Sequence, residues 1–306
     1  LLGSLLRSGF KPHEDDFMEI EDKYVKDVQR LIPFPKIAME VLSIAHESDC
    51  DIPKLSRKIE QDPNLTANML RMANSAYFGH MKMITSVRDI IVRLGLETVK
   101  LIAITSASVG LLRSPQSAYN LKPGALWRHS YATAILAATI GRHAQLDEDS
   151  SLYTAALLHD IGKVILNRPL QIELNHRETP HKSLKMVELE RLILGTNHAQ
   201  IGMRLLQLWG LPDKIVVPIG CHHDREVAEA KLLYSKIVYL SNILIESLGI
   251  HSIDPENYFF SIEELVNSTE EELPDVPNFQ EKMETIIEEF FERFNETVGM
   301  FSENAA

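Results

Sequence analysis

Twelve histidines are spread along the 306-residue chain, and five of them stand in contexts that look organised. They are His129 in Leu-Trp-Arg-His-Ser, His159 in Leu-Leu-His-Asp-Ile-Gly-Lys, His198 in Asn-His-Ala-Gln-Ile-Gly, and the adjacent pair His222 and His223. Asp160 joins them as the carboxylate that follows His159 directly in an otherwise apolar run. Met, Ala and Leu surround most of these positions, which implies burial. A buried imidazole needs a partner, and one metal ion satisfies several at once. Imidazole nitrogen with a single bridging carboxylate suits iron, manganese, zinc or nickel rather than calcium. Each piece alone is weak, since a lone buried histidine is more often a hydrogen-bonded core residue; the combination carries the weight. His13, His46, His80, His143, His176, His181 and His251 read as surface or capping residues.

The spacing fits that chemistry. Adjacent helical residues point about 100° apart, so His159 and Asp160 at a helix end address two sides of one centre, as do His222 and His223. Lys163 lies four residues after His159 and shares its face if the helix continues, where it is the candidate catalytic group for a substrate anion. Gly202, four residues after His198, lets a neighbouring helix or a ligand approach closely.

The elements that must hold these residues read as helices throughout. Strand-like alternation is nearly absent, Gly and Pro number 14 each, and apolar residues recur at three and four. Ile37, Val41, Ile44 and Ala45 form one stripe, entered through Pro33 and Pro35. Leu65, Met69, Leu70 and Met72 form another, started by Asp62 as N-cap and Pro63 at the first helical position. A helix over 87–94 is broken by Gly95 from one over 97–112. Residues 114–124, with Pro115, Pro123 and Gly124, mark a sub-domain boundary. Helices follow near 126–144, 150–158, 185–194, 199–209, 212–221 and 227–248. Residues 254–277 are acidic and irregular. A last helix over 278–298 gathers Met283, Ile286, Ile287, Phe290, Phe291, Phe294 and Val298 on one face, chiefly for docking on the same fold, with a dimer or partner interface as the minority reading. Asn74 and Ser75, polar among apolar neighbours, are expected to cap or bond backbone.

Composition narrows the function classes. Hydrophobic residues make up 45% and charged residues 24%, ordinary for a globular chain. A net charge of −12 repels phosphate backbones and argues against nucleic acid as a partner. Cys50 and Cys221 alone give no disulfide framework, which fits a cytoplasmic setting. The longest weakly polar run, 101–112, is too short to span a bilayer, so no membrane is expected. Residues 1–10 lack an initiator Met, so residue 1 is expected to lie inside or beside a longer natural chain.

Residues 155–163, Ala-Ala-Leu-Leu-His-Asp-Ile-Gly-Lys, resemble the signature of the HD phosphohydrolase superfamily. Residues 197–212, leading to His222 and His223, are similar to HDOD domains (HD-related output domains) and their HD-GYP relatives. The N-terminal motifs select the HDOD branch: Leu-Ile-Pro-Phe-Pro-Lys at 31–36, Ile-Glu-Gln-Asp-Pro-Asn-Leu-Thr at 59–66, Leu-Arg-Met-Ala-Asn-Ser-Ala-Tyr-Phe at 70–78, and Ser-Val-Arg-Asp-Ile-Ile-Val-Arg-Leu-Gly at 86–95. The resemblance covers roughly 28–245. It implies an all-α, multi-helix HD-superfamily fold with an N-terminal helical sub-domain over 28–113 and HD-like metal-binding helices over 125–245. Residues 1–27 form an N-terminal extension and 246–306 an acidic C-terminal one.

The resemblance also implies a ligand set and a role. Carried over from the catalytic relatives, one divalent ion would be held by His129, His159, Asp160 and position 242, and a second by Asp160, His198, His222 and His223. Iron is the first choice, then manganese, nickel or zinc. Position 242 should be Asp and is Asn242, a neutral amide that weakens the first site. The Gly-Tyr-Pro loop that should follow the histidine pair is missing, and Ala125 replaces the Glu that a third metal would need. The preferred reading is a bacterial signal-transduction output module, not catalytic, with protein partners in a signalling pathway and a homodimer as an open alternative. A metal-dependent phosphohydrolase acting on a nucleotide or phosphoester is the second reading, and a scaffold whose histidines are core relics the third.

Overall fold

The computed structural model describes residues 24, 40, 41, 44, 51–74, 83–146, 151–176, 184–224, 233–250 and 279–302. Most of the N-terminal extension, Pro33, Pro35, Ile37, Ala45, Ser75, residues 254–277 and the start of the helix expected at 227 lie outside them, as do His13, His46, His80, His181 and His251.

Among the described residues the architecture is all-helical, with one isolated bridge between Gln116 and Leu121 in place of any strand. Helices α1 (Ile52–Glu60), α2 (Pro63–Ala73) and α3 (Val87–Leu112) form the N-terminal layer. Asp62 caps α2 as expected, its side chain accepting from the N–H groups of Asn64 and Leu65, and Pro63 occupies the first turn, where a missing N–H is harmless. Leu65, Met69 and Met72 point into the core, together with Val41 and Ile44. Asn74 ends α2 and bonds backbone on both sides. Its Nδ2 donates to the carbonyls of Leu70 and Ile84 at 2.8 Å, and its Oδ1 accepts from Ile84 N at 2.7 Å. Gly95 does break α3, at φ 80 and ψ 168, which a side chain would resist.

The second layer holds α4 (Ala125–His143), α5 (Ser151–Leu158), α6 (Ile161–Asn175), α7 (Met186–Leu194), α8 (His198–Leu208), α9 (Asp213–Cys221) and α10 (Leu233–Ser247). Helix α4 is the central post: it is buried along nearly its whole length and packs on α5, α10 and α11 (Phe279–Ser302). The stripe of α11 docks on the same chain. Met283, Ile286, Ile287, Phe290 and Phe294 are buried, and Phe294 lies 6.4 Å from the Tyr131 ring of α4. At the other end Glu289 meets Arg142 at 3.4 Å and His143 at 3.2 Å.

Two helices depart from the sequence-based reading. Helix α1 was not expected, because Lys54, Arg57, Lys58 and Glu60 mask its short buried stripe of Leu55 and Ile59. Helix α6 contains Pro169, which reads as a breaker yet sits inside the helix. The connector over 114–124 has structure of its own. A 3-10 turn (Ser117–Tyr119) folds back through the Gln116–Leu121 bridge, with Tyr119 fully buried and the N–H of Ala118 bonded to Asn167 Oδ1 at 3.0 Å.

Candidate metal centre

The chain stops being helical between α5 and α6, and that stop aims His159 and Asp160 at one point. Helix α5 ends at Leu158, and Asp160 is the N-cap of α6. A tight crossing brings α8 against this corner. A Cβ added at Gly162 would sit 1.9 Å from the carbonyl oxygen of His198, so only glycine allows the approach. Gly202 continues the same contact, where a Cβ would lie 3.2 Å from Ile219 of α9. The first turn of α8 therefore delivers His198, the C-terminal end of α9 delivers His222 and His223, α4 brings His129 and α10 brings Asn242.

All seven expected ligand positions converge. Asp160 Oδ1 lies 3.2 Å from His198 Nε2 and 3.6 Å from His222 Nε2. Its Oδ2 lies 3.4 Å from His159 Nε2 and 3.8 Å from His129 Nε2. His129 Nε2 is 3.2 Å from His159 Nε2 and 2.9 Å from Asn242 Oδ1, and His198 Nε2 is 2.8 Å from His223 Nε2. Two donor groups result, Asp160 with His198, His222 and His223, and Asp160 with His129 and His159; within each group the atoms lie within 4.8 Å of one another.

The hydrogen bonds around the rings settle which nitrogen faces inward. The Nδ1 of His129 is 2.8 Å from the Ile250 carbonyl, that of His159 2.7 Å from the Ala156 carbonyl, and that of His222 2.6 Å from the Ile219 carbonyl. A carbonyl accepts only, so each Nδ1 carries the proton and each Nε2 presents a lone pair. His198 Nδ1 faces the Glu190 carboxylate instead, at 2.7 and 2.9 Å. In their neutral forms these rings turn Nε2 lone pairs toward the Asp160 carboxylate, and Asp160 Oδ1 and His222 Nε2 are buried without a hydrogen bond. Lone pairs about 3 Å apart repel unless a cation lies between them. The observed separations also match the ligand-to-ligand edges of a shell with bonds of about 2.0–2.2 Å. The donor set therefore fits a divalent ion in either group.

Burial favours the neutral form at His129, His222 and His223, and the Glu190 charge opposes it at His198. Burial pushes the imidazole of His129 down to about 3 and that of His222 down to about 4, leaving both neutral at pH 7. Burial, followed by the neighbouring His222 and His198, holds His223 well below its usual value. For Asp160 burial pulls upward, but Lys163 and His159 outweigh it and keep the carboxyl well below the usual range. Burial also depresses His198, yet the Glu190 charge overcomes that and leaves it raised. Lys163 is itself buried and donates to Asp160 Oδ2 at 2.7 Å, from α6 rather than from a continuation of the His159 helix.

Three groups at the centre were not singled out from sequence. Glu190 is fully buried, Tyr119 donates to it at 2.6 Å, and Glu246 lies one turn beyond Asn242. Burial, with Asp160 nearby, raises the Glu246 carboxyl. For Glu190 a signal existed, since a carboxylate four residues before Leu194 falls on the apolar stripe of α7. Tyr119 and Glu246 carried none.

The family model of the HDOD domain matches residues 31–225. An uncharacterized protein of Treponema pallidum (strain Nichols) is 27% identical over 238 residues, covering 73% of this chain and 43% of its own length. The chain thus spans less than half of that relative. Among solved structures, a candidate phosphohydrolase from Shewanella amazonensis SB2B superposes with a TM-score of 0.68 at 20% identity, covering 89% of this chain and 97% of that one. A candidate signal transduction protein from Marinobacter aquaeolei VT8 gives 0.66 at 21% identity, covering 94% and 65%.

Proposed function

The chain belongs to the HDOD family, and on that premise we propose that it is a non-catalytic output module of a bacterial signalling pathway whose metal site is structural or sensory. The observation that carries this reading is how closed the centre is. His129 and His159 have 0% exposure, Asp160, His198 and His222 have 1%, and Asn242 has 2%, while His223 alone of the seven is partly exposed. A buried ring of donors can hold an ion firmly but gives a phosphoester little room beside it. Three features of the chain point the same way. Asn242 lowers the negative charge opposite His129, no Gly-Tyr-Pro follows His223, and Lys163 is engaged by Asp160 instead of facing a substrate. The ions, iron first and otherwise manganese, nickel or zinc, would be held by His129, His159, Asp160 and Asn242, and by Asp160, His198, His222 and His223. Their contribution is positive charge that cancels the lone-pair repulsion and locks α4, α5, α8, α9 and α10 together. Protein partners in a signalling pathway belong to this reading, as does the absence of nucleic acid argued from the net charge of −12; no helix among the described residues is long and apolar enough to cross a membrane.

The second reading, a metal-dependent phosphohydrolase, is favoured by one observation. A cavity of about 240 Å³ lined by Arg191, Gln200, Cys221, His223 and Asp224 reaches the centre from the His223 side. In that case Arg191 would bind the phosphate of a nucleotide or phosphoester, and the ions would supply Lewis acidity. Incubating Mn²⁺- or Fe²⁺-loaded protein anaerobically with cyclic-di-GMP, and separately with bis(p-nitrophenyl) phosphate, separates the two. The output-module reading expects no product from either. Turnover that vanishes in a His159→Ala, Asp160→Ala double variant would establish the enzyme.

A further inference from the structure

Glu190 is a buried carboxylate with hydrogen-bond partners at both oxygens. It has 0% exposure, although it lies on a helix whose other charged residues, Glu188 and Arg191, are not buried. Both of its oxygens are used. Oε1 accepts from Tyr119 Oη–H at 2.6 Å and lies 2.9 Å from His198 Nδ1. Oε2 accepts from the backbone N–H of His198 at 2.9 Å and lies 2.7 Å from Nδ1. An isolated carboxylate buried this deeply would cost several kcal/mol, and the converging donors offset that. The arrangement singles out one ligand. His129, His159 and His222 each give their Nδ1 proton to a backbone carbonyl, whereas His198 gives its proton to an anion. A charge-assisted bond at Nδ1 is roughly twice as strong as a neutral one and pushes electron density toward Nε2. The far end of the chain of bonds, Tyr119, comes from the connector between the two helical layers.

We propose that Glu190 is a positioning residue which, backed by Tyr119, fixes the tautomer of His198 and strengthens its Nε2 as a ligand, so that the connector sets the metal affinity of the Asp160, His198, His222 and His223 group. The affinity half of this inference rests on the metal reading above; the tautomer half does not.

The test uses the 306-residue chain labelled with ¹⁵N-histidine, as wild type, Glu190→Gln and Tyr119→Phe. Ring-nitrogen shifts of the metal-free proteins report the His198 tautomer, and competition with a chromophoric chelator reports Zn²⁺ affinity. Wild type should hold His198 in the Nδ1–H form. Glu190→Gln should lose that preference and weaken Zn²⁺ at this group by about 10- to 100-fold, leaving the shifts of His129 and His159 unchanged. Tyr119→Phe should move both readouts in the same direction and by less. A folded Glu190→Gln protein with wild-type His198 shifts and affinity overturns the proposal. If Glu190→Gln does not fold, Tyr119→Phe decides alone, and wild-type values there overturn it equally. If wild type binds no Zn²⁺, the metal reading fails, while the ring shifts still decide whether Glu190 holds the tautomer.

Discussion

His129 Nε2 and His159 Nε2 stand 3.2 Å apart while each ring commits its Nδ1 proton to a backbone carbonyl, Ile250 for the one and Ala156 for the other. With both rings neutral, neither Nε2 can donate to its neighbour, and α4 and α5 hold two lone pairs face to face. That is the arrangement of two ligands, and Asn242 Oδ1 completes it at 2.9 Å from His129.

Asn242 is where the site can be strengthened by a single atom. Asn242→Asp replaces a neutral amide with a carboxylate in the same volume. The expected outcome is tighter Mn²⁺ binding at the His129, His159 and Asp160 group, by about tenfold, which corresponds to about 1.4 kcal/mol. Chelator competition on the two proteins measures it. Metal-free stability should fall in the same variant, because a second buried carboxylate then lies near Asp160 without a cation.

Acid should destabilise the metal-free protein well before its carboxylates titrate. The unfolded chain protonates His129 and His222 near pH 6.5, whereas in the folded state burial delays this to about 3 and about 4. Across that window the unfolded state binds more protons. The stability these two residues contribute is therefore present above about pH 6.5 and lost as the pH falls toward 4 and then 3. Urea midpoints at pH 7 and pH 5 check this: the midpoint should drop at pH 5, and a His129→Gln, His222→Gln variant should show a smaller drop.

Gly162→Ala tests the crossing that aims His198. The added methyl would meet the His198 carbonyl at 1.9 Å, a backbone atom that cannot swing aside. Overpacking of this kind costs about 1–3 kcal/mol, and α8 must shift to accept it. A lower Tm is expected, with loss of metal from the His198, His222 and His223 group exceeding that from the His129 and His159 group.

The metal-site candidates were legible in the sequence because histidine is scarce in apolar runs and these residues stand beside a carboxylate or in a pair. Helix positions were legible for the same reason that Asn74 was: capping residues and apolar spacing act locally. What escaped notice depends on tertiary packing. Glu190 shares α7 with Glu188 and Arg191; its place on the apolar stripe is the one local sign, and it becomes a buried carboxylate only when α8 and the connector close over it. Tyr119 lies in a stretch rich in Pro, Ser and Asn that reads as a linker, yet its hydroxyl reaches Glu190. Lys163 was expected to stay on the His159 face; the helix stops at Leu158, and the lysine turns to Asp160 instead.

A bound metal distinguishes a ligand site from a cluster of core histidines. Protein purified without chelators, analysed by inductively coupled plasma mass spectrometry beside an Asp160→Ala variant, tests it most directly, since Asp160 is the one residue shared by both donor groups. The prediction is one to two divalent ions per wild-type chain, iron foremost, and near-complete loss of both in the variant. Wild-type protein without stoichiometric metal, and unable to take up Mn²⁺ or Zn²⁺ when these are supplied, would contradict the account.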